Sequence, residues 1–141
     1  TFTIGNTGPN EDHNITFIMI KVYRLGNPGT LTASIRNVDG AGKPTGGDLT
    51  SGTIDGNTFT DSPPGAWYKI PLTKYKLSAN VKYAIVIRVP AGDANNKVYW
   101  CDDTTGPTYT GGCYVYSGDS GVTWFDLATI DCMFEEWGSK A

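Results

Sequence analysis

The stretch Val81-Lys82-Tyr83-Ala84-Ile85-Val86-Ile87-Arg88-Val89 runs with period two. In an extended chain Val81, Tyr83, Ile85, Ile87 and Val89 share one face and Lys82, Ala84, Val86 and Arg88 the other, so the first set is expected to line a core. The same parity in 66–72 sends Tyr68, Ile70 and Leu72 inward and leaves Trp67 and Lys69 outward. Comparable stretches at 1–5, 14–24, 30–38, 49–54, 97–101, 109–117 and 130–137 bring the total to about nine short strands. Gly, Pro, Asn and Asp clusters separate them, as in 37–48 and 55–65, which read as surface loops. The expected fold is all-β: an antiparallel β-sandwich, jelly-roll-like, of about eight to nine strands.

Composition agrees. The chain holds 18 Gly, 8 Pro and 18 Thr against 6 Leu and no Gln, which disfavours helices and supplies strands and turns. Its 141 residues suit a single domain over 1–141, large enough to bury about two-thirds of its unfolded surface without staples. Net charge is −3 with Lys and Arg scattered singly, so no basic stripe is laid out for a phosphate backbone and nucleic acid is not an expected partner. The longest apolar run, Ile15 to Ile20, is far shorter than the ~20 residues of a membrane span. The chain opens on Thr1 with neither a basic nor an apolar leader, as a processed mature protein or an excised domain would. Cys101, Cys113 and Cys132 are odd in number and lack CxxC spacing, so at most one intrachain bridge is available. Cys113 and Cys132 share parity with Val115 and Phe134, as bridge partners or as buried thiols.

Strand 14–24 departs from the one-sided pattern. Ile15, Phe17 and Met19 lie on one face and Ile18, Ile20 and Val22 on the other, so a second apolar face needs cover from a loop, another strand or another subunit. The segment Thr1-Phe2-Thr3-Ile4-Gly5 precedes a turn-rich tether, Asn6 to Asp12. Such a strand pairs within its own sandwich or enters a neighbour's groove by strand addition, with Phe2 and Ile4 as anchors. Phe2, Ile4, Ile18, Ile20 and Val22 are therefore the candidate assembly residues, and self-association into an oligomer or filament is the expectation they carry.

Aromatic residues make up 12% of the chain. Parity turns Trp67, Tyr99, Tyr114 and Tyr116 outward, and such a row would form a sugar-stacking platform if the strands were neighbours in one sheet. Ordinary cross-strand aromatic pairs are the plainer reading. One His and three separated Cys build no transition-metal cluster, and no cofactor or metal is expected beyond a structural calcium on Asp102 and Asp103 or on Asp119, Asp126 and Asp131. Asx-turns account for the same acids. Glu135 and Glu136 point to opposite faces and form no acid–nucleophile pair, and His13 reads as a loop residue before strand 14–24.

The sharpest local pattern is Ser117-Gly118-Asp119-Ser120-Gly121-Val122-Thr123-Trp124. Asp119 is suited to accept backbone N–H groups across a turn, Gly121 to supply positive φ, Thr123 to continue a strand and Trp124 to cover the hairpin. It resembles the Asp-box hairpin of sialidases and many secreted β-proteins, and that resemblance implies a folding device away from any catalytic centre. A sialidase propeller carries several copies in a far longer chain, so Arg24, Arg36 and Arg88 are not read as a carboxylate site. Gly118-Asp119-Ser120-Gly121 is also the tetrapeptide around the nucleophile of trypsin-like proteases, but Glu11-Asp12-His13-Asn14 lacks that family's histidine context and the chain is too short for its double barrel.

Taken together, Tyr23-Arg24-Leu25-Gly26-Asn27-Pro28-Gly29-Thr30-Leu31-Thr32, Gly42-Lys43-Pro44, the run from Leu77 to Arg88, Tyr109-Thr110-Gly111-Gly112, Trp124 and Phe134-Glu135 resemble a jelly-roll-like β-sandwich module of bacterial, phage-like and environmental extracellular proteins. That resemblance, similar in style to carbohydrate-binding modules and to surface or fibre domains, implies an extracellular or cell-surface location and transfers no catalytic residues. The expected function is a non-catalytic structural or adhesive building block of an appendage or fibre, with carbohydrate binding through exposed aromatics as the alternative.

Overall fold

The computed structural model describes residues 1–106 and 108–141. Among them there is no α-helix, only two 3-10 turns at Gly8–Asn10 and Gly56–Thr58. Twelve strands follow one another: β1 (Phe2–Thr3), β2 (His13–Leu25), β3 (Thr30–Val38), β4 (Pro44–Asp55), β5 (Ala66–Leu77), β6 (Lys82–Arg88), β7 (Lys97–Trp100), β8 (Asp102–Asp103), β9 (Tyr114–Tyr116), β10 (Phe125–Leu127), β11 (Asp131–Cys132) and β12 (Phe134–Lys140). The excess over eight to nine comes from short pairs, since 130–137 divides into β11 and β12 and β8 and β10 are added, while 109–117 contracts to β9.

Two antiparallel four-stranded assemblies form the sandwich-like body. One runs β1-β6-β3-β4; the other runs β12-β2-β5, with β7 pairing residues 22–25 of β2 beyond the reach of β12. The sheets close on one side where β4 meets β5. A Cβ at Gly52 would lie 1.8 Å from the Pro71 carbonyl oxygen, so the approach requires glycine there. The core between them takes Ile18, Ile20 and Val22 of β2, Leu31, Ala33 and Ile35 of β3, Ile70 and Leu77 of β5 and Tyr83 and Ile85 of β6. Inward Tyr68, Ile70 and Leu72 and outward Trp67 and Lys69 match the parity of β5.

Three local readings are corrected. In β2, Ile15 is fully buried with Ile18, although simple alternation placed it with Phe17. Thr16 is an extra residue against β12, where Trp137 pairs Phe17 and Gly138 pairs Ile15, and this bulge reverses the parity of the strand's first turn of alternation. In β6, Ala84 and Val86 are buried as well as Tyr83 and Ile85, while Val81 is exposed. Ala84 faces Arg36 and Val86 faces Ser34 across β3, and Asp48 accepts from Arg36 Nε at 2.7 Å and from Arg88 Nη2 at 2.5 Å. Since Arg36 and Arg88 stand one row to either side of Ser34 and Val86, the bridge through Asp48 roofs that row. Finally, 37–48 is mostly strand: only residues 39–43 turn, closed by Asp39 Oδ1 accepting from Ala41 N and Lys43 N, both at 2.9 Å.

Candidate functional site

The outer face of the β2 sheet carries the most unusual surface. Phe17, Met19, Lys21 and Tyr23 project from β2 away from the core, because Ile18, Ile20 and Val22 between them are fully buried. Their direct partners extend the face sideways: Trp137 beside Phe17, Lys69 beside Met19, Trp67 beside Lys21 and Tyr99 beside Tyr23. From the Phe17 row to the Tyr23 row is six residues, about 20 Å at strand rise. Trp67 is 40% exposed, Tyr99 37% and Trp137 51%.

The rings are ordered against one another and against lysine. Phe17 and Trp137 stack with centroids 5.8 Å apart and planes within 7°, and Tyr23 and Tyr99 at 4.6 Å and 13°. Lys69 Nζ sits 4.0 Å from the Phe17 ring centroid and Lys97 Nζ 5.2 Å from that of Tyr99. Trp137 Nε1 donates to Glu135 Oε2 at 2.7 Å, which fixes the indole on its strand. A cleft of about 1200 Å³ runs along β12 and reaches Trp67, Glu135 and Trp137 from the gap between β12 and the segment 8–13.

The expected aromatic row divides. Trp67 and Tyr99 meet on this face, whereas Tyr114 and Tyr116 belong to the separate β9–β10 hairpin, where Tyr116 stacks on Phe125 at 5.6 Å. Phe17, Tyr23 and Trp137 complete the platform in their place. The sequence held a signal for each: Phe17 and Tyr23 lie off the buried parity of β2, and Trp137 lies two residues from outward Glu135.

The candidate assembly residues lie inside. Phe2, Ile4, Ile18, Ile20 and Val22 all belong to the chain's own core, because β1 pairs β6 through Phe2–Tyr83 and Thr3–Lys82. Ile4 N donates to Val81 O at 3.0 Å, and on the other edge Thr3 N donates to the Tyr109 hydroxyl at 3.1 Å. Strand 1–5 is thus held on both sides within its own fold.

The 117–124 segment is a turn built on the Asp119 and Ser117 side chains, and Thr123, expected to continue a strand, lies in a bend before β10 because its N–H is turned to Asp119. Asp119 Oδ1 accepts from Thr123 N at 2.8 Å and from Ser117 Oγ at 2.7 Å, and Gly121 N donates to Ser117 Oγ at 2.7 Å. Gly121 takes φ 90° and lies under the Trp124 ring. The Thr123 and Ser117 donors hold the Asp119 carboxyl down to about 2. The acids considered for calcium are dispersed: Asp126 pairs with Lys43, Asp103 accepts from Thr105 N at 2.9 Å and Asp131 from Tyr109 N at 3.2 Å. Among the described residues no three His, Cys, Asp or Glu side chains gather into a metal site. Cys101, Cys113 and Cys132 are free thiols, and burial pushes that of Cys132 up to about 12. His13 is not a loop residue but the first residue of β2, 7% exposed, its Nε2 2.7 Å from Glu136 Oε2. Arg24 donates to the carbonyls of Phe59 and Gly26, a purely structural use.

Fold and surface define an all-β, sandwich-like chain whose β2 sheet carries an aromatic outer face. Comparison with protein-family models, curated proteins and solved structures finds no match.

Proposed function

We propose that the chain is a non-catalytic, extracellular, jelly-roll-like module of an adhesive or surface structure, and that it meets its target by carbohydrate stacking on the outer face of the β2 sheet. The observation that carries this is the exposure of Trp67, Tyr99 and Trp137 on a single face of a single sheet. A sandwich needs only one apolar face per sheet, and large rings left in water on the other face present flat apolar area with a polar rim, which suits the C–H faces of sugars. A glycan array followed by titration calorimetry tests it. Trp67→Ala and Trp137→Ala are expected to weaken binding at least about tenfold each, the scale of a lost aromatic contact. No bound glycan, or affinity untouched by Trp67→Ala, overturns the reading.

A second reading, self-association, draws on β12. That strand pairs with β2 alone and leaves its other edge beside the cleft, an arrangement open to strand addition. Sedimentation over a wide concentration range tests it, and a single monomeric species throughout overturns it.

A further inference from the structure

The cations of the chain are unevenly committed. Arg36 and Arg88 are neutralised by Asp48, Lys43 by Asp126, Lys76 by Asp12, and Lys140 lies 4.0 Å from Glu11. Arg24 is spent on backbone carbonyls. Among the described residues five lysines enter no ion pair; Lys74 of β5 and Lys82 of β6 stand apart, and the other three, Lys21, Lys69 and Lys97, stand together on the aromatic face of the β2 sheet. Lys69 and Lys97 rest on the rings of Phe17 and Tyr99 instead. Glu135, the acid on that face, is engaged by Trp137 Nε1 near the end opposite Lys97.

On this basis we propose that the outer face of the β2 sheet binds an anionic polysaccharide, a uronic-acid polymer, with sugar rings on Trp67 and Trp137 and carboxylates on Lys21, Lys69 and Lys97. The inference rests on the reading of this face as a carbohydrate site and adds the charge of the ligand. Its physical ground is that an anionic chain gains three ammonium partners without breaking any ion pair of the protein, and those of Lys69 and Lys97 need only swing off ring faces to meet it. The rings lie in rows about 20 Å from end to end, with Lys21 between the Phe17 and Tyr23 rows. Single-stranded nucleic acid also combines stacking with charge, but the guanidinium forks that grip phosphate are all committed elsewhere and the protein carries net charge −3.

The probes are polygalacturonate oligosaccharides, their full methyl esters and an oligothymidylate of similar length, titrated calorimetrically against the whole chain. The acid form is expected to bind about tenfold more tightly than the ester and to weaken as salt rises. In the triple variant Lys21→Gln/Lys69→Gln/Lys97→Gln the preference for acid over ester should fall to within about twofold and its salt dependence should disappear, with the melting temperature within about 2 °C of the parent. Equal binding of acid and ester, indifferent to the lysine changes, overturns the charged ligand and leaves carbohydrate stacking standing. Tighter binding of oligothymidylate than of either sugar overturns the inference in favour of nucleic acid. No binding of these polymers together with an empty glycan array overturns both readings.

Discussion

His13 Nε2 lies 2.7 Å from Glu136 Oε2, which joins the first residue of β2 to the middle of β12 at the cleft. On its other side His13 Nδ1 is 2.8 Å from the Glu11 carbonyl, an acceptor only. A neutral ring that donates from Nδ1 turns a lone pair toward the carboxylate, whereas the imidazolium donates to both. Burial opposes the charge, but the Glu11 carbonyl and the Glu136 carboxylate outweigh it, and the pKa of His13 is raised.

A raised folded pKa means that the contribution of this pair is complete below the unfolded value, about 6.5, and is lost as pH rises through the folded value. Urea unfolding is expected to show stability falling as pH rises above about 6.5, by on the order of 1 kcal/mol, the worth of one charge-assisted hydrogen bond. His13→Gln should abolish that slope and destabilise the protein at acidic-to-neutral pH. A flat profile in the parent would remove the electrostatic role of the pair.

Deleting Thr16 removes the bulge between Ile15 and Phe17. The strand then alternates without a break, His13, Ile15 and Ile18 inward and Asn14 and Phe17 outward, so Ile15 keeps its buried place and the deletion is expected to cost only about 1–3 kcal/mol, for re-pairing with β12 and β5. Thr16→Ala keeps the extra residue and should cost under about 1 kcal/mol. Denaturant midpoints of the two variants separate chain register from side-chain chemistry.

Phe2 and Ile4 are 2% and 3% exposed and close the core from β1. Phe2→Ala is expected to cost about 3–5 kcal/mol and Ile4→Ala about 2–5 kcal/mol by thermal or urea unfolding. Values near zero would mean that this strand is not seated in its own sandwich in solution.

Asp119 anchors the 117–124 turn and is fully exposed, so its effect should be local. Asp119→Ala is expected to speed hydrogen exchange at the Thr123 amide at least about tenfold while leaving that of β3 and β6 unchanged. Because its carboxyl is held at about 2, the turn should persist in acid below the ordinary carboxylate range, about 3.9, and loosen as pH falls through about 2.

Much of this was legible in the residues. The alternation of 66–72 set the inward residues of β5 and exposed Trp67, and that of 81–89 put Tyr83 and Ile85 in the core. In the 117–124 turn residue type pointed to Asp119 as the acceptor of a backbone N–H, but not to the Ser117 hydroxyl bonds or to Thr123 lying outside a strand. The aromatic face was legible only in part: Tyr99 and Trp67 were turned outward by parity, but their company was not, and Tyr114 and Tyr116 were placed with them when they belong to another hairpin.

What the sequence determined by itself is the period-two pattern and the turn chemistry, because both arise from backbone geometry within a few residues. Which strand lies beside which, the parity reversal at Thr16, the home of β1 against β6 and the meeting of Trp137, Phe17, Trp67 and Tyr99 on one face were decided by tertiary structure. Those depend on pairings between segments as far apart as Phe17 and Trp137, where the energy of a contact belongs to both strands and is written in neither alone.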